Sequence, residues 1–300
     1  MSGDPPSGRA GIGESAAVLK STFATHPRKS GRLAGSTGIL LPVLVRTRKA
    51  LVRAALLGVG MLCFAAGLFF VSLPSAEPLR LENPRATALM DLRSREAMDH
   101  HRLPRRVHTW VPMARISPWL RRAVVNSEDA RFYEHDGFDM TETEAALEQA
   151  AERGRLGRGA STITQQLAKN LWLGEERTLW RKLREYFLAR RLEDLGKRRV
   201  LELYLNVAEW GDGIYGAEAA ARTWFNKPAV ELSPEESSAL AAMLPAPRRR
   251  NPLRPNARLR KRAFEILELY GLYEQLGPEQ LEESRARLAD MLGSPMAAAR

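Results

Sequence analysis

From residue 118 onward, hydrophobic residues recur at spacings of three and four, which is the pattern of one face of an α-helix. No convincing run of alternating hydrophobic and polar residues occurs there, and only residues 107–111 suggest a brief extended segment. The pattern therefore predicts a mainly α-helical domain. Helices are predicted at residues 118–127, from Thr162 onward, at 178–195, 197–206 and 217–224, from Ser233 to before Pro245, and at 257–272 as the final helix.

A serine followed by a proline marks the start of two of these helices. Ser117 followed by Pro118 is typical of an N-cap residue and a proline in the first turn. Ser233, Pro234 and Glu236 repeat this arrangement and add the spacing of a capping box. We therefore expect both helices to begin at these positions.

Residues 54–73 contain no charged side chain and would span roughly 30 Å as a helix, which is the thickness of a bilayer core. A cleaved signal peptide is the alternative, but the segment lies far from Met1 and is longer than the apolar part of such a peptide. Positive charge crowds its N-terminal side, so the positive-inside rule predicts a cytoplasmic N-terminus and an exported remainder. The charges are those of Arg46, Arg48, Lys49 and Arg53.

The segment divides the chain into five predicted parts. Residues 1–53 form a basic, disordered cytoplasmic tail, to which we assign no function, and residues 54–73 form the transmembrane helix. Residues 74–105 are a membrane-proximal connector with a short helix at 86–95, residues 106–272 the helical domain, and residues 273–300 a C-terminal extension.

The amino-acid composition limits the classes of partner and of site that we expect. The net charge of +11 indicates anionic partners, namely lipid headgroups, phosphates or nucleic acid. A hydrophobic content of 44% is ample for a core. The single cysteine, Cys63, excludes an intrachain disulfide framework and a cysteine-rich zinc site.

The stretch at residues 125–139 is unusually rich in titratable groups. Glu128 falls at the C-terminal end of the first predicted helix, where the helix dipole disfavours negative charge and should make the carboxylate a better base. A loop broken at Gly137 follows. It contains Asp129, His135, Asp136 and Asp139. A solvated acidic turn is the alternative interpretation of this stretch.

A second informative block covers residues 157–173. Thr162 and Gln165 have capping-box spacing, and glycines precede them at positions 154, 157 and 159, so the helix N-terminus offers free N–H groups to an anion. Gln166, Lys169 and Asn170 share a side that we interpret as a binding face, with an ordinary solvated face as the alternative. The predicted buried stripe of this helix is Ile163, Leu167 and Leu171.

The helix at residues 178–195 places a carboxylate among cations. Arg181 and Lys182 precede Glu185 by four and three residues, an arrangement that should keep Glu185 ionised. A salt-bridged surface is the alternative. The predicted core stripe, on the opposite side, is Leu179, Leu183, Phe187 and Leu192, and further cations are Arg177, Arg184 and Arg190.

Three glycines at positions 211, 213 and 216 match the pattern GxGxxG. This pattern binds dinucleotides only between a strand and a helix in a βαβ unit, and here it follows a helical segment. We therefore predict a tight loop instead of a nucleotide site.

These features together favour one kind of chemistry. Two carboxylates, a basic and amide-rich surface and a membrane tether indicate group transfer from a lipid-linked, phosphate-bearing donor. One carboxylate would take the proton from an attacking hydroxyl.

The motifs resemble those of monofunctional biosynthetic peptidoglycan transglycosylases, which belong to the glycosyltransferase family also found fused to class A penicillin-binding proteins. The resemblance covers about residues 86–255 and rests on four ordered motifs. Only an isoleucine-to-valine change departs from the pattern, and it is conservative. The matches are Glu128, Asp129, Phe132, His135 and Gly137 with EDxxFxxHxG; Gly159, Ser161, Thr162, Gln165 and Gln166 with GxSTxxQQ; Arg181, Lys182 and Glu185 with RKxxE; and Lys197, Val200, Leu201, Tyr204 and Asn206 with KxxILxxYxN.

The resemblance implies a lysozyme-like helical fold and the polymerisation of lipid II. Glu128 would be the general base, and Glu185 would lie by the donor pyrophosphate and help to bind a divalent metal, Mg²⁺ or Mn²⁺, or orient neighbouring cations. The implied substrate-binding residues are Asp129, Phe132, His135, Ser161, Thr162, Gln165, Gln166, Lys169, Asn170, Arg177, Lys182 and Arg190.

The implied partners are lipid II, the nascent glycan strand, the bacterial inner membrane, and cell-wall synthesis and division proteins, with no nucleic acid. Apolar residues after Gly137 and in the connector would dip into the membrane. Few residues follow Pro255 and no SxxK motif occurs, so we expect no transpeptidase activity.

Two rival functions remain at this point. A peptidoglycan-cleaving, lysozyme-like enzyme also uses a glutamate in a helical fold, but it would not need the cations around Glu185. A membrane-anchored scaffold could bind anionic lipid or nucleic acid through the basic surface, although export argues against nucleic acid.

Overall fold

The computed structural model describes residues 37–153, 161–174 and 178–293. The chain divides into two compact units, Met1–Ala65 and Ala66–Arg300. Helices dominate the described residues, which confirms the predicted fold class. The helices are α1 (Thr37–Ser72), α2 (Ala88–Asp99), α3 (Pro118–Glu128), α4 (Met140–Arg153), α5 (Ile163–Trp172), α6 (Leu179–Glu193), α7 (Lys197–Val207), α8 (Ala217–Phe225), α9 (Pro234–Met243), α10 (Ala257–Leu272) and α11 (Pro278–Leu292).

Helix α1 contains the predicted transmembrane segment. Among the described residues, Arg48–Arg80 is the one stretch that is long and apolar enough to cross a membrane, judged by length and composition. Its large hydrophobic side chains are exposed, as Leu57 at 73% and Leu62 at 70% illustrate. Such a surface suits lipid better than water.

The C-terminal end of α1 is attached to α6. The Phe70 and Phe187 rings meet edge to face at 4.9 Å. The Arg191 guanidinium donates to the carbonyl oxygens of Phe70, Leu73 and Pro74 at 3.0, 2.7 and 3.0 Å. Phe70 lies in the last turn of α1, and Leu73 and Pro74 directly follow the helix, so Arg191 stabilises the end of α1.

The core of the larger unit is built on two groups of helices. Helix α5 packs against α6 and α7, while α9 packs against α3 and α10. The start signals are confirmed, because Ser117, Thr162 and Ser233 are the N-caps of α3, α5 and α9. The prediction that the helix at 257–272 is the final one is wrong, since α11 follows and buries Leu288 against the core.

A small three-stranded sheet lies beside these helices. Its strands are β1 (Val107–His108), β2 (Glu209–Gly211) and β3 (Ile214–Tyr215), in the order β1-β3-β2. Strand β3 is parallel to β1 and antiparallel to β2. The sequence indicated β1 but missed the other two strands, which are too short to show alternation. The tight loop is confirmed: Gly213 has φ +69°, and a Cβ there would collide with the carbonyl of Arg105.

The predicted core stripe of α6 is wrong in its first half and confirmed in its second, where Phe187 packs partly buried against the core. Leu179 and Leu183, assigned to the core, are 92% and 43% exposed, whereas Glu185, assigned to the opposite side, is 3% exposed. Leu192 is buried as predicted. Apolar periodicity locates a hydrophobic stripe but does not say whether protein or another apolar phase covers it.

Candidate active site

Glu128 is the last residue of α3, as predicted, and is partly buried. Its Oε2 accepts a hydrogen bond from Nε2 of Gln166 on α5 at 3.0 Å. The Tyr204 hydroxyl on α7 donates to Oε1 of the same amide at 2.9 Å. A Tyr204–Gln166–Glu128 chain therefore fixes both the orientation of the amide and the position of the carboxylate.

Burial raises the pKa of Glu128 above its ordinary value. The hydrogen bond from Gln166 and the positive charges of Arg262 and Arg250 oppose this shift. The direction agrees with the predicted stronger base, but its main cause is burial instead of the helix dipole. Burial also raises the pKa of Tyr204 well above its usual value, so this hydroxyl stays protonated and acts as a donor.

Asp129 and His135 connect the loop after α3 to the start of α5. One Asp129 oxygen accepts from the backbone N–H of Ile163 at 2.9 Å, and the other lies 2.9 Å from Nε2 of His135. The N–H of Gly137 donates to Nδ1 of His135 at 3.1 Å, so the proton of a neutral ring is on Nε2. These contacts hold Glu128 and α5 in register.

Three more of the predicted binding residues support this loop. The Thr162 hydroxyl donates to the Gly137 carbonyl at 2.8 Å, and Thr162 forms the predicted capping box with Gln165. Phe132 is fully buried, with the Lys197 ammonium 4.5 Å from its ring centre. Direct contact of these residues with a substrate stays a prediction.

Glu128 lines one cavity, and its hydrogen-bond partner Gln166 lines another. The smaller, of about 160 Å³, is lined by Glu128, Asp129, Ser161 and Thr162 among others. The larger is a groove of about 750 Å³, and Gln166 lies on its wall. Lys169, Asn170 and Tyr204 line the groove as well, so the structure brings the predicted polar face of α5 together on one wall.

The structure places Glu185 elsewhere. Its two carboxylate oxygens accept from Arg181 and Lys182, one from each, and it lines neither of the two cavities. Arg190 donates to the Asp136 carbonyl at 2.8 Å on the surface. The predicted residue Arg177 lies outside the described residues.

The groups around Glu185 do not fit a divalent metal. Mg²⁺ and Mn²⁺ prefer several oxygen ligands, and among the described residues the one carboxylate of this cluster has a cation on each oxygen. Asp129, His135 and Asp139 bring their ligating atoms within 4.8 Å of one another. Asp129 and His135 use those atoms in the hydrogen bonds above, so protein contacts account for both. Asp139 Oδ2 lies 3.5 Å from Arg131 Nε and accepts no hydrogen bond within the described residues.

Sequence reasoning placed Tyr204 correctly inside α7 but missed its part in the site. A tyrosine on a buried helix face needs a partner for its hydroxyl, and this was the available signal. Its partner was not visible, because it lies on another helix, 38 residues away in sequence.

Comparison with known proteins identifies the family of the chain. Residues 96–270 match the model of the transglycosylase family. The biosynthetic peptidoglycan transglycosylase of Laribacter hongkongensis is 47% identical over 55% of this chain and 73% of its own length. That of Thiobacillus denitrificans is 50% identical over 55% and 72%, and that of Rhodospirillum centenum is 46% identical over 69% and 87%.

Proposed function

The chain belongs to the transglycosylase family and is a peptidoglycan glycosyltransferase, and we propose that it polymerises lipid II by inverting transfer, with Glu128 as the general base. The donor is the glycan chain on polyprenyl pyrophosphate, and the acceptor is the 4-hydroxyl of lipid II. The observation that carries the proposal is the carboxylate of Glu128. One oxygen is fixed by Gln166, and the other makes no hydrogen bond within the described residues, while the side chain lines a cavity.

In the proposed step, Glu128 accepts the proton of the acceptor hydroxyl as its oxygen attacks the anomeric carbon of the donor. A β-1,4 bond forms on one face while the bond to the pyrophosphate breaks on the other, and the pyrophosphate leaves with the electron pair. The raised pKa of Glu128 brings its basicity closer to neutral pH. Lys169 on the groove wall carries positive charge suited to the departing phosphate.

We further propose that α1 anchors the protein in the inner membrane, with a cytoplasmic N-terminus and a periplasmic catalytic domain. Exposed apolar side chains support contact of this domain with lipid: Met140 after the Gly137 loop, Leu81 in the connector, and Leu179 and Trp180 on α6. Cell-wall synthesis and division proteins stay predicted partners, without an assigned surface.

The use of Mg²⁺ or Mn²⁺ also stays a prediction, and we assign the metal no ligand among the described residues. Comparing polymerisation rates in Mg²⁺, in Mn²⁺ and in a chelator would measure this dependence.

The function is tested by incubating the purified full-length protein with lipid II and separating the products by gel. We expect long glycan strands that a muramidase digests and no cross-linked peptide. Release of soluble fragments from finished cell wall, without polymer from lipid II, would instead support the peptidoglycan-cleaving alternative.

Replacing Tyr204 by phenylalanine tests the hydrogen-bonded chain. Without the hydroxyl, the Gln166 amide loses the contact that fixes it, and its hydrogen bond no longer lowers the pKa of Glu128. We expect a fall of about 5- to 20-fold in rate. The base works when ionised, so the acid limb of the pH–rate profile should move to higher pH. A changed stability with an unmoved acid limb would show that Tyr204 has only a packing role.

A further inference from the structure

Arginine side chains gather at one end of the 750 Å³ groove. Arg93, Arg102, Arg248 and Arg249 line it together with Gln166 and Lys169. A second cavity, of about 140 Å³, shares Arg93, Arg102 and Arg248 with the groove and continues to Arg105. Neither Gln166 nor Lys169 lines this second cavity, so Arg93, Arg102 and Arg248 mark the end of the groove that lies away from Glu128. Arg249, which lines the groove, directly follows Arg248 in the chain.

The acidic residues of this lining are already paired. Arg93 binds the buried Glu209 at 3.0 Å and Glu96 at 3.0 Å. Arg248 binds Glu96 at 2.8 Å and Asp212 at 3.2 Å. The network fixes the wall and offsets the negative charge of all three acids.

Three further arginines lie outside this network of ion pairs, namely Arg102, Arg105 and Arg249. Arg102 and Arg249 line the groove, and Arg105 lines the second cavity. Within the described residues, Arg102 and Arg249 form backbone hydrogen bonds, but none of the three guanidinium groups has a hydrogen bond or an ion pair. The three side chains are exposed and so are able to meet a ligand. A guanidinium recognises a carboxylate or phosphate through two parallel hydrogen bonds.

We propose that Arg102, Arg105 and Arg249, the arginine end, bind the carboxylates of the peptide that the substrate carries on its muramic sugar. This rests on the proposed function. A peptidoglycan precursor has two kinds of anion, the pyrophosphate and the peptide carboxylates. On the donor, the pyrophosphate is bonded to the reacting carbon of a muramic sugar and must lie within reach of Glu128. The peptide is a chain on the lactyl group of such a sugar, so its carboxylates can lie well away from the reacting atoms. The arginine end therefore suits the carboxylates.

The test compares the wild type with the R102Q/R249Q variant, as full-length proteins in a neutral detergent. Each protein is given lipid II with its complete peptide and a peptide-free analogue that keeps the pyrophosphate and both sugars but has its lactyl carboxylate blocked as an amide. For complete lipid II we expect KM to rise about 3- to 10-fold, with kcat unchanged, because exposed ion pairs contribute modestly. For the peptide-free analogue the two proteins should have the same KM. Added salt should raise the wild-type KM more for complete lipid II than for the peptide-free analogue, because only the complete substrate loses the contacts of its peptide carboxylates as well as those of its pyrophosphate.

Arg95→Gln is the matched control, since Arg95 is an exposed arginine of α2 that lines neither cavity. The R102K/R249K variant keeps the charge, and we expect it to recover part of the lost affinity. An unchanged KM for complete lipid II would overturn the proposal. So would an equal rise for both substrates, which would assign the arginines to the pyrophosphate, the sugars or the detergent surface. A wild type that polymerised neither substrate would instead overturn the proposed function itself.

Discussion

Replacing Glu128 by glutamine is expected to lower the rate of lipid II polymerisation by about 10²- to 10⁴-fold, the usual contribution of a general base. The substitution keeps the size of the side chain and an oxygen that can accept from Gln166, but it removes the group that takes the proton. Folding and substrate binding should therefore persist. Initial rates with labelled lipid II, together with a binding measurement on the same preparation, would check both expectations.

Glu134→Gln provides the control for the Glu128 variant. Glu134 lies six residues further along in the same loop region, and its side chain is 67% exposed and pairs only with Arg131 in the described part of the chain. Its replacement should leave the rate within about twofold, as is usual for exposed ion pairs. An unchanged polymer yield from the Glu128 variant would remove this residue from the mechanism.

Much of the helical framework could be predicted, because its signals are local. An N-cap and its partners lie within three residues, so Ser117, Thr162 and Ser233 mark the starts of their helices in the sequence itself. The position of Glu128 at the end of α3 followed from the same reasoning. The motifs then indicated the family, and the resemblance to that family pointed to Glu128 and Glu185 as the functional acidic residues.

What the sequence did not reveal depends on contacts between distant residues. The Tyr204–Gln166–Glu128 chain needs α3, α5 and α7 to meet, and no local pattern encodes that contact. The burial of Asp129 and His135 likewise became visible only in the folded chain. The face of α6 was misassigned because the hydrophobic pattern does not distinguish a protein core from a surface suited to lipid.

The corrected orientation of α6 sharpens the second large prediction, which concerns Glu185. An exposed ion pair at this spacing would contribute little, but Glu185 is 3% exposed and bonded to both Arg181 and Lys182. We expect Glu185→Gln to lower kcat by about 10²-fold. The physical reason is that the carboxylate fixes two cations, which the family resemblance places by the donor pyrophosphate, and an amide would hold them only weakly.

A control on the same helix separates this role from simple stabilisation. Glu193 pairs with Lys197 at 3.0 Å and is also mostly buried, so Glu193→Gln should lower the melting temperature without a comparable loss of kcat per folded molecule. Because the groups around Glu185 do not fit a metal, the Mg²⁺ dependence of the remaining Glu185→Gln activity should match that of the wild type. If the Glu185→Gln variant kept wild-type turnover, Glu185 would serve only as part of a salt bridge, which is the alternative interpretation of this cluster. If the Glu185→Gln variant instead lost the Mg²⁺ dependence of the wild type, the Glu185 carboxylate would be a metal ligand. The metal site would then form only after the substrate had moved Arg181 and Lys182 away from the carboxylate.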